Sequence, residues 1–86
     1  MRTKKNETCN GWKNRATWNV ALWIGNDEPL YRMACGFMKS YKGRTPYRSF
    51  VKRYGMGDER TPDGFKFGGM KLCLAELNDM MRELVS

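Results

Sequence analysis

The sequence predicts an all-α fold, a small single domain of about four short helices. Apolar residues recur at spacings of three and four, and capping residues, prolines or glycines bound each such segment. The chain has 86 residues, of which 41% are hydrophobic and 13% aromatic, which is enough apolar surface to fold as one domain. We therefore predict a flexible basic arm at residues 1–9 and a single helical domain at residues 10–86.

The first helix is predicted over residues 14–25. Asn14 is a good N-cap, and the segment that follows it is apolar on nearly all sides. Gly25 and Asn26 are expected to end the helix in a left-handed conformation. A helix with this pattern is predicted to be mostly buried.

The second and third helices are predicted over residues 28–42 and 45–54. Pro29 and Pro46 each suit the first turn of a helix. The second helix carries one apolar stripe, whereas the third has an apolar face and a basic face. Each is expected to end at a glycine: Gly43 and Gly55.

A glycine-rich loop is predicted at residues 55–69, before a fourth helix at residues 70–85. Within the loop, the sequence from Thr61 to Gly64 is typical of a turn with proline in its second position. Residues 65–67 alternate in polarity and are interpreted as a short extended piece whose two phenylalanines hold the loop on the core.

The three tryptophans lie within twelve positions, and this clustering needs an explanation. Trp18 and Trp23 are five residues apart, which places their rings about 140° apart around a helix. They cannot form one stacking platform, so we predict that they fill gaps in the core, whereas Trp12 either packs against the helix start or is partly exposed. The predicted structural core comprises Trp18, Leu22, Trp23, Leu30, Phe37, Phe50, Leu77 and Leu84.

The stretch NGWKNRATWNVALWIGNDEPLYR resembles the opening motif of a family of small bacteriophage and mobile-element proteins. In that family an Asn-x-x-Thr-Trp-Asn-Val-Ala-Leu-Trp segment precedes Asn-Asp-Glu and a Leu-Tyr pair. The later stretch TPDGFKF...LAELNDMMREL is similar to a C-terminal pattern of some relatives. The resemblance implies a phage setting and a helical domain, and it carries over no catalytic or binding residues.

Composition argues against an enzyme, a metalloprotein and a membrane protein. The chain has no histidine, and its three cysteines form no CxxC pair, so we predict no metal, no cofactor and no catalytic residues. No apolar run approaches the roughly 20 residues that span a bilayer, and the first residues are polar. We therefore expect a cytoplasmic protein, in the host cell if a phage encodes it.

Positive charge gives the main clue to function. The net charge is +7, and it is concentrated in residues 1–15, which carry +4, and in residues 39–60, which carry +5. Arg48 and Lys52 are one helical turn apart, and like charges at that spacing repel unless an anion neutralises them. The predicted binding residues are Lys39, Lys42, Arg44, Arg48, Lys52 and Arg53, with Lys4, Lys5, Lys13 and Arg15 from the arm and the first helix.

These cations fit three interpretations. A basic helix with a basic arm is typical of a protein that binds DNA or RNA through phosphates, with weak selectivity. An acidic surface on a host protein would match the same residues, and in a phage setting this predicts an inhibitor or modulator used in host takeover or anti-defence. The third interpretation is that the charges only keep the protein soluble.

Overall fold

The fold is all-α, as the sequence predicts. The computed structural model describes residues 11–86, and within them no β-sheet is formed. The four helices are α1 (Arg15–Asn26), α2 (Glu28–Ser40), α3 (Pro46–Arg53) and α4 (Leu74–Glu83). α1 and α2 form a tight pair, α3 packs mainly on α4, and the segment 54–73 closes the remaining side.

α1 buries a narrower stripe than its composition suggests. Its buried apolar residues are Val20, Ala21 and Ile24, which lie within about 100° of one another around the helix. The prediction that Trp18, Leu22 and Trp23 fill the core is wrong, because all three are only half-buried and none belongs to the residues packed against the core cluster. In a helix that is apolar on nearly every side, periodicity does not identify the side that faces the core.

One residue, Asp27, joins α1 to α2. Its backbone is extended, and its N–H donates to the carbonyl of Trp23 at 2.9 Å. Its side chain also caps α2 by accepting from the N–H of Leu30 at 3.2 Å. The predicted left-handed stop at Gly25 and Asn26 is therefore wrong: both residues belong to α1, and the helix ends because Asp27 starts the next one.

α2 ends at Ser40, two residues before the predicted end. The backbone of Tyr41 turns to an extended conformation, and its hydroxyl accepts from the N–H of Thr45 at 3.1 Å. The Tyr41 ring lies against Gly43, where the Cβ of any other residue would overlap it. The loop between α2 and α3 thus folds around a tyrosine ring.

α3 supplies the largest buried side chains of the core. Tyr47 and Phe50 are both almost completely buried, and Phe50 packs against the rings of Phe37 and Tyr54. Although Thr45 precedes the helix, its side chain makes no capping bond. Asn78 of α4 replaces it by accepting from the N–H of Tyr47 at 3.0 Å, which ties α3 to α4.

The segment between α3 and α4 folds as a miniature hairpin. The N–H of Phe67 donates to the carbonyl of Glu59 at 2.9 Å, and Arg60 forms an antiparallel bridge with Lys66. The N–H of Gly64 donates to the carbonyl of Thr61 at 2.8 Å, which confirms the predicted turn. Of the extended piece at 65–67, Phe67 is buried and Phe65 packs against the core, as predicted.

α4 begins at Leu74 rather than at residue 70. Two backbone groups before it bond to α1 side chains: the carbonyl of Lys71 accepts from Asn14 at 2.8 Å, and the N–H of Cys73 donates to Thr17 at 2.9 Å. These tertiary bonds compete with a helical turn here. Met70, the first residue of the predicted helix, is completely exposed, whereas Leu72 is buried.

The other predicted core residues take their expected positions. Phe50 and Leu77 are completely buried. Leu30, Phe37 and Leu84 are partly buried and pack against the core. The core therefore lies among the four helices, with α1 and α3 each packed on α2 and α4.

The polar residues of the opening motif hold α1 to the rest of the chain. Asn14 caps α1 by accepting from the N–H of Thr17 at 2.9 Å while its own amide binds Lys71. Asn19 is 1% exposed; its amide donates to Asp63 at 2.7 Å and its carbonyl accepts from the Thr61 hydroxyl at 2.7 Å. These bonds give the motif a structural role.

The Asp63 carboxylate is a further link between α1 and the hairpin. Its Oδ2 accepts from the Asn19 amide and from the Trp23 indole N–H at 2.9 Å. These two hydrogen bonds, with a smaller contribution from the charge of Arg15, hold the pKa of Asp63 below its ordinary value of 3.8. The charged form is thus favoured in the folded protein.

This shift predicts that Asp63 contributes stability that is lost in acid. Because the folded pKa lies below the unfolded one, the contribution is complete above about pH 4 and declines as the pH falls through the folded pKa. We expect Asp63→Asn to be less stable than the wild type at pH 7, with the difference shrinking below pH 4. Urea unfolding of both proteins across this range measures it. A difference that does not change with pH would contradict the assignment.

Candidate functional site

Two of the predicted cations share one side of α3. Arg48 and Lys52 are four residues apart, so their side chains leave the helix within about 40° of each other. Both are exposed, whereas Phe50, on the opposite side of the helix, is completely buried. Within residues 11–86 no salt bridge joins Arg48 or Lys52 to a carboxylate. Their charges are therefore available to an external anion.

These two cations line a groove between α3 and the hairpin segment. The groove, called here the α3 groove, has a volume of about 670 Å³. Its floor is apolar and partly aromatic, and is formed by Tyr47, Val51, Phe67 and Leu72. Small-molecule sites in proteins have volumes of about 300–1,000 Å³ and mostly apolar linings with a few polar groups. The α3 groove has this composition.

Glycines form the wall opposite α3. The N–H of Gly68 donates to the carbonyl of Gly57 at 3.0 Å, which brings the two strands of the hairpin together. A Cβ on Gly68 would lie 2.8 Å from that carbonyl oxygen, so only glycine allows this approach. Gly55 and Gly69 line the groove as well. Asp58 and Met70 line the groove on this side as well, and the Asp58 carboxylate lies 3.8 Å from the Lys66 ammonium.

The remaining predicted cations on residues 39–53 do not line the groove. Lys39 and Lys42 are exposed at the end of α2. Arg44 is exposed in the next loop, where its carbonyl accepts from Arg82 at 3.3 Å. Arg53 leaves α3 about 100° away from Lys52, and its guanidinium lies 6.0 Å from the centre of the Tyr54 ring. Of the predicted binding residues on residues 39–53, only Arg48 and Lys52 therefore line the α3 groove.

The cations predicted near the N-terminus have different positions. Lys13 and Arg15 are exposed at the start of α1. The backbone N–H of Lys13 donates to Glu76 at 2.8 Å, and the charge of Arg15 acts on the Asp63 carboxylate. Lys4, Lys5 and the arm at residues 1–9 lie outside the described residues.

A hydroxyl cluster beside Arg44 was not predicted from the sequence. The Tyr41 hydroxyl lies 3.1 Å from the Ser49 hydroxyl and 3.4 Å from that of Thr45. The hydrogen bonds to Ser49 and Thr45 lower the pKa of Tyr41, and the nearby charge of Arg82 contributes. The i, i+4 spacing of Thr45 and Ser49 is the only sequence signal of this cluster. Its hydroxyls bond to one another.

Within residues 11–86, no group of three or more Cys, Asp or Glu side chains is arranged to hold a metal ion. Among the helices of the same residues, none has the length and apolarity needed to cross a bilayer.

Comparison with known proteins identifies a family. The model of a family of unknown function (DUF7249) matches residues 5–86, which is nearly the whole chain. No curated protein and no solved structure matches the chain. The chain therefore belongs to the DUF7249 family.

Proposed function

We propose that this member of the DUF7249 family binds nucleic acid electrostatically, without catalysis, through the basic side of α3. The observation that carries the proposal is the pair Arg48 and Lys52, exposed side by side and without a carboxylate partner in the described part of the chain. Arginine binds phosphate oxygens in pairs, and lysine acts on them as a point charge. Two such cations beside an open groove suit a phosphate backbone.

In the proposal, the other cations of the protein help by attracting nucleic acid from a distance. The net charge of +7 attracts polyanions over a distance of about one Debye length. Lys39, Lys42, Arg44 and Arg53 are exposed outside the α3 groove, and the proposal assigns them to long-range attraction, with help from the basic N-terminal arm. In this proposal the protein acts in the cytoplasm of a host cell, the setting implied by the resemblance to bacteriophage proteins.

The decisive measurement is a salt titration of affinity for short DNA and RNA. The logarithm of the binding constant should fall linearly with the logarithm of the salt concentration, with a slope of about 0.7–0.9 per phosphate neutralised. We expect Arg48→Gln with Lys52→Gln to reduce that slope by about 2 and to weaken binding at low salt by roughly tenfold or more. Fluorescence anisotropy with labelled oligonucleotides reports both quantities.

A matched control removes the same charge elsewhere. Arg32→Gln with Lys71→Gln also eliminates two exposed cations, and neither residue lines the α3 groove. This variant should keep most of the salt slope. Equal losses in the two double variants would mean that only net charge matters. Absence of binding at low salt would refute the proposal.

A host protein with an acidic surface is the alternative partner for the same cations. In that case the protein would act as an inhibitor or modulator of host functions, including defence. A pulldown from nuclease-treated host lysate separates the two functions. One stoichiometric protein that is retained by the wild type and lost with Arg48→Gln and Lys52→Gln would favour the alternative.

A further inference from the structure

We infer that the α3 groove binds an unstacked base of a single-stranded nucleic acid, while Arg48 and Lys52 bind the phosphates beside it. This inference rests on the proposed function, since it specifies which form of nucleic acid the same surface accepts. It predicts a preference for single strands over duplexes.

The groove lining combines the two chemistries of a nucleotide. Its floor is formed by Tyr47, Val51 and Phe67, which are 1%, 8% and 4% exposed, so it offers a base a small apolar surface. Arg48 and Lys52 stand on the α3 wall, so that an anion held by them lies at the edge of this floor. Proteins that bind single strands commonly join a positive groove to apolar and aromatic surfaces on which bases pack.

The glycine wall makes room for a flat ligand. A Cβ placed on Gly57 would meet only a Val51 methyl group, at 4.0 Å, so the space in front of this residue is open. Gly68 must remain glycine for a different reason, its contact with the Gly57 carbonyl. Met70 is 100% exposed at the rim, and a flexible thioether there can adapt to a bound ring.

The shape of the site disfavours a duplex. α3 has eight residues and is about 12 Å long, and the groove lies between this helix and the hairpin. Duplex bases present only their edges, so their faces cannot reach a recessed apolar floor without leaving the stack. A single strand offers unpaired bases at little cost. The cation pair beside an apolar floor therefore favours a strand whose bases are free.

The first test compares three labelled ligands of equal length by fluorescence anisotropy: oligo(dT), a duplex and an abasic strand. The wild type should bind oligo(dT) about 5- to 100-fold more tightly than the abasic strand, because each stacked base contributes about that factor. The affinity for oligo(dT) should also exceed the affinity for the duplex. Equal affinity for oligo(dT) and the abasic strand would overturn the inference, as would preference for the duplex. If free thymidine monophosphate displaces oligo(dT) at equal concentration, the groove binds free nucleotides rather than single strands, and the inference is overturned.

A second test fills the groove. Gly57→Leu should place a side chain in the open space and abolish the advantage of oligo(dT) over the abasic strand, while the salt slope remains. Gly36→Leu is the matched control, since Gly36 is exposed on α2 and its Cβ would contact nothing within 4 Å. A folded Gly57→Leu protein that keeps the full advantage would overturn the inference.

The ligand comparison does not depend on any variant, so the inference stays testable if Gly57→Leu misfolds. Failure of this inference can also be distinguished from failure of the proposed function. Equal, salt-dependent binding of oligo(dT), duplex and abasic strand would leave the electrostatic proposal intact and remove only the base-binding groove. Absence of salt-dependent binding to all three would remove both.

Discussion

Replacing Phe50 with alanine is expected to lower the free energy of unfolding by about 3–5 kcal/mol. Phe50 is 0% exposed, and its ring centre lies 5.6 Å from that of Phe37 and 5.4 Å from that of Tyr54. The substitution removes buried apolar surface and leaves a cavity among these rings. A domain of 86 residues has a total stability of about 4–13 kcal/mol, so the loss is a large part of the whole.

Urea unfolding measures this loss, and two variants calibrate it. Phe50→Leu keeps most of the volume and should cost clearly less. Tyr54→Ala removes another ring of the same cluster, but Tyr54 is 42% exposed, so its loss should also be smaller. If Phe50→Ala cost no more than Tyr54→Ala, the centre of the core would lie elsewhere.

Local signals explain why most helix positions could be predicted. Asn14, Asp27 and Pro46 act through their own backbone or the next three residues, so their effect can be anticipated without the fold. The start of α4 was mispredicted because its determinants are distant in sequence. The side chains of Asn14 and Thr17 engage the backbone of Lys71 and Cys73, and the sequence around those residues does not reveal it.

In the candidate site, too, the relations that are local in sequence could be predicted and the distant ones could not. The four-residue spacing of Arg48 and Lys52 was sufficient to place them together, because helix geometry alone fixes that relation. Arg44 and Arg53 were grouped with them from nearness in sequence, yet a loop and a 100° turn of the helix separate them. The α3 groove could not be predicted, since it requires the approach of Gly57 to Gly68 and the burial of Leu72 under the hairpin.

The tryptophans and the opening motif illustrate how a pattern is misassigned. The core positions predicted for Trp18 and Trp23 follow from the angle between their rings, which rules out one stacking platform, but Trp23 uses its indole N–H to bind Asp63 and so remains near the surface. The buried members of that network are two polar residues, Asn19 and Thr61. A buried amide is tolerated when its hydrogen bonds are satisfied, and here Thr61 and Asp63 satisfy them.

Replacing Asn19 with alanine is therefore expected to lower the free energy of unfolding by about 2–4 kcal/mol. The substitution removes one hydrogen bond to a carboxylate and leaves the Thr61 hydroxyl, which is 3% exposed, without its acceptor. Urea unfolding at pH 7 measures the loss. Asn26→Ala, at the exposed end of α1, is the matched control and should change stability by less than about 1 kcal/mol.

A double-mutant cycle with Thr61→Val isolates the hydrogen bond between Asn19 and Thr61. Once both polar partners are gone, no hydroxyl is left buried without an acceptor, so the double variant should be more stable than the sum of the single losses predicts, by about 1 kcal/mol. Losses that add within about 0.3 kcal/mol would show that the two side chains act independently. In that event the motif residue Asn19 would not hold α1 to the hairpin through Thr61, and the structural explanation of the motif would reduce to the contacts of Asn14, Thr17 and Asp63.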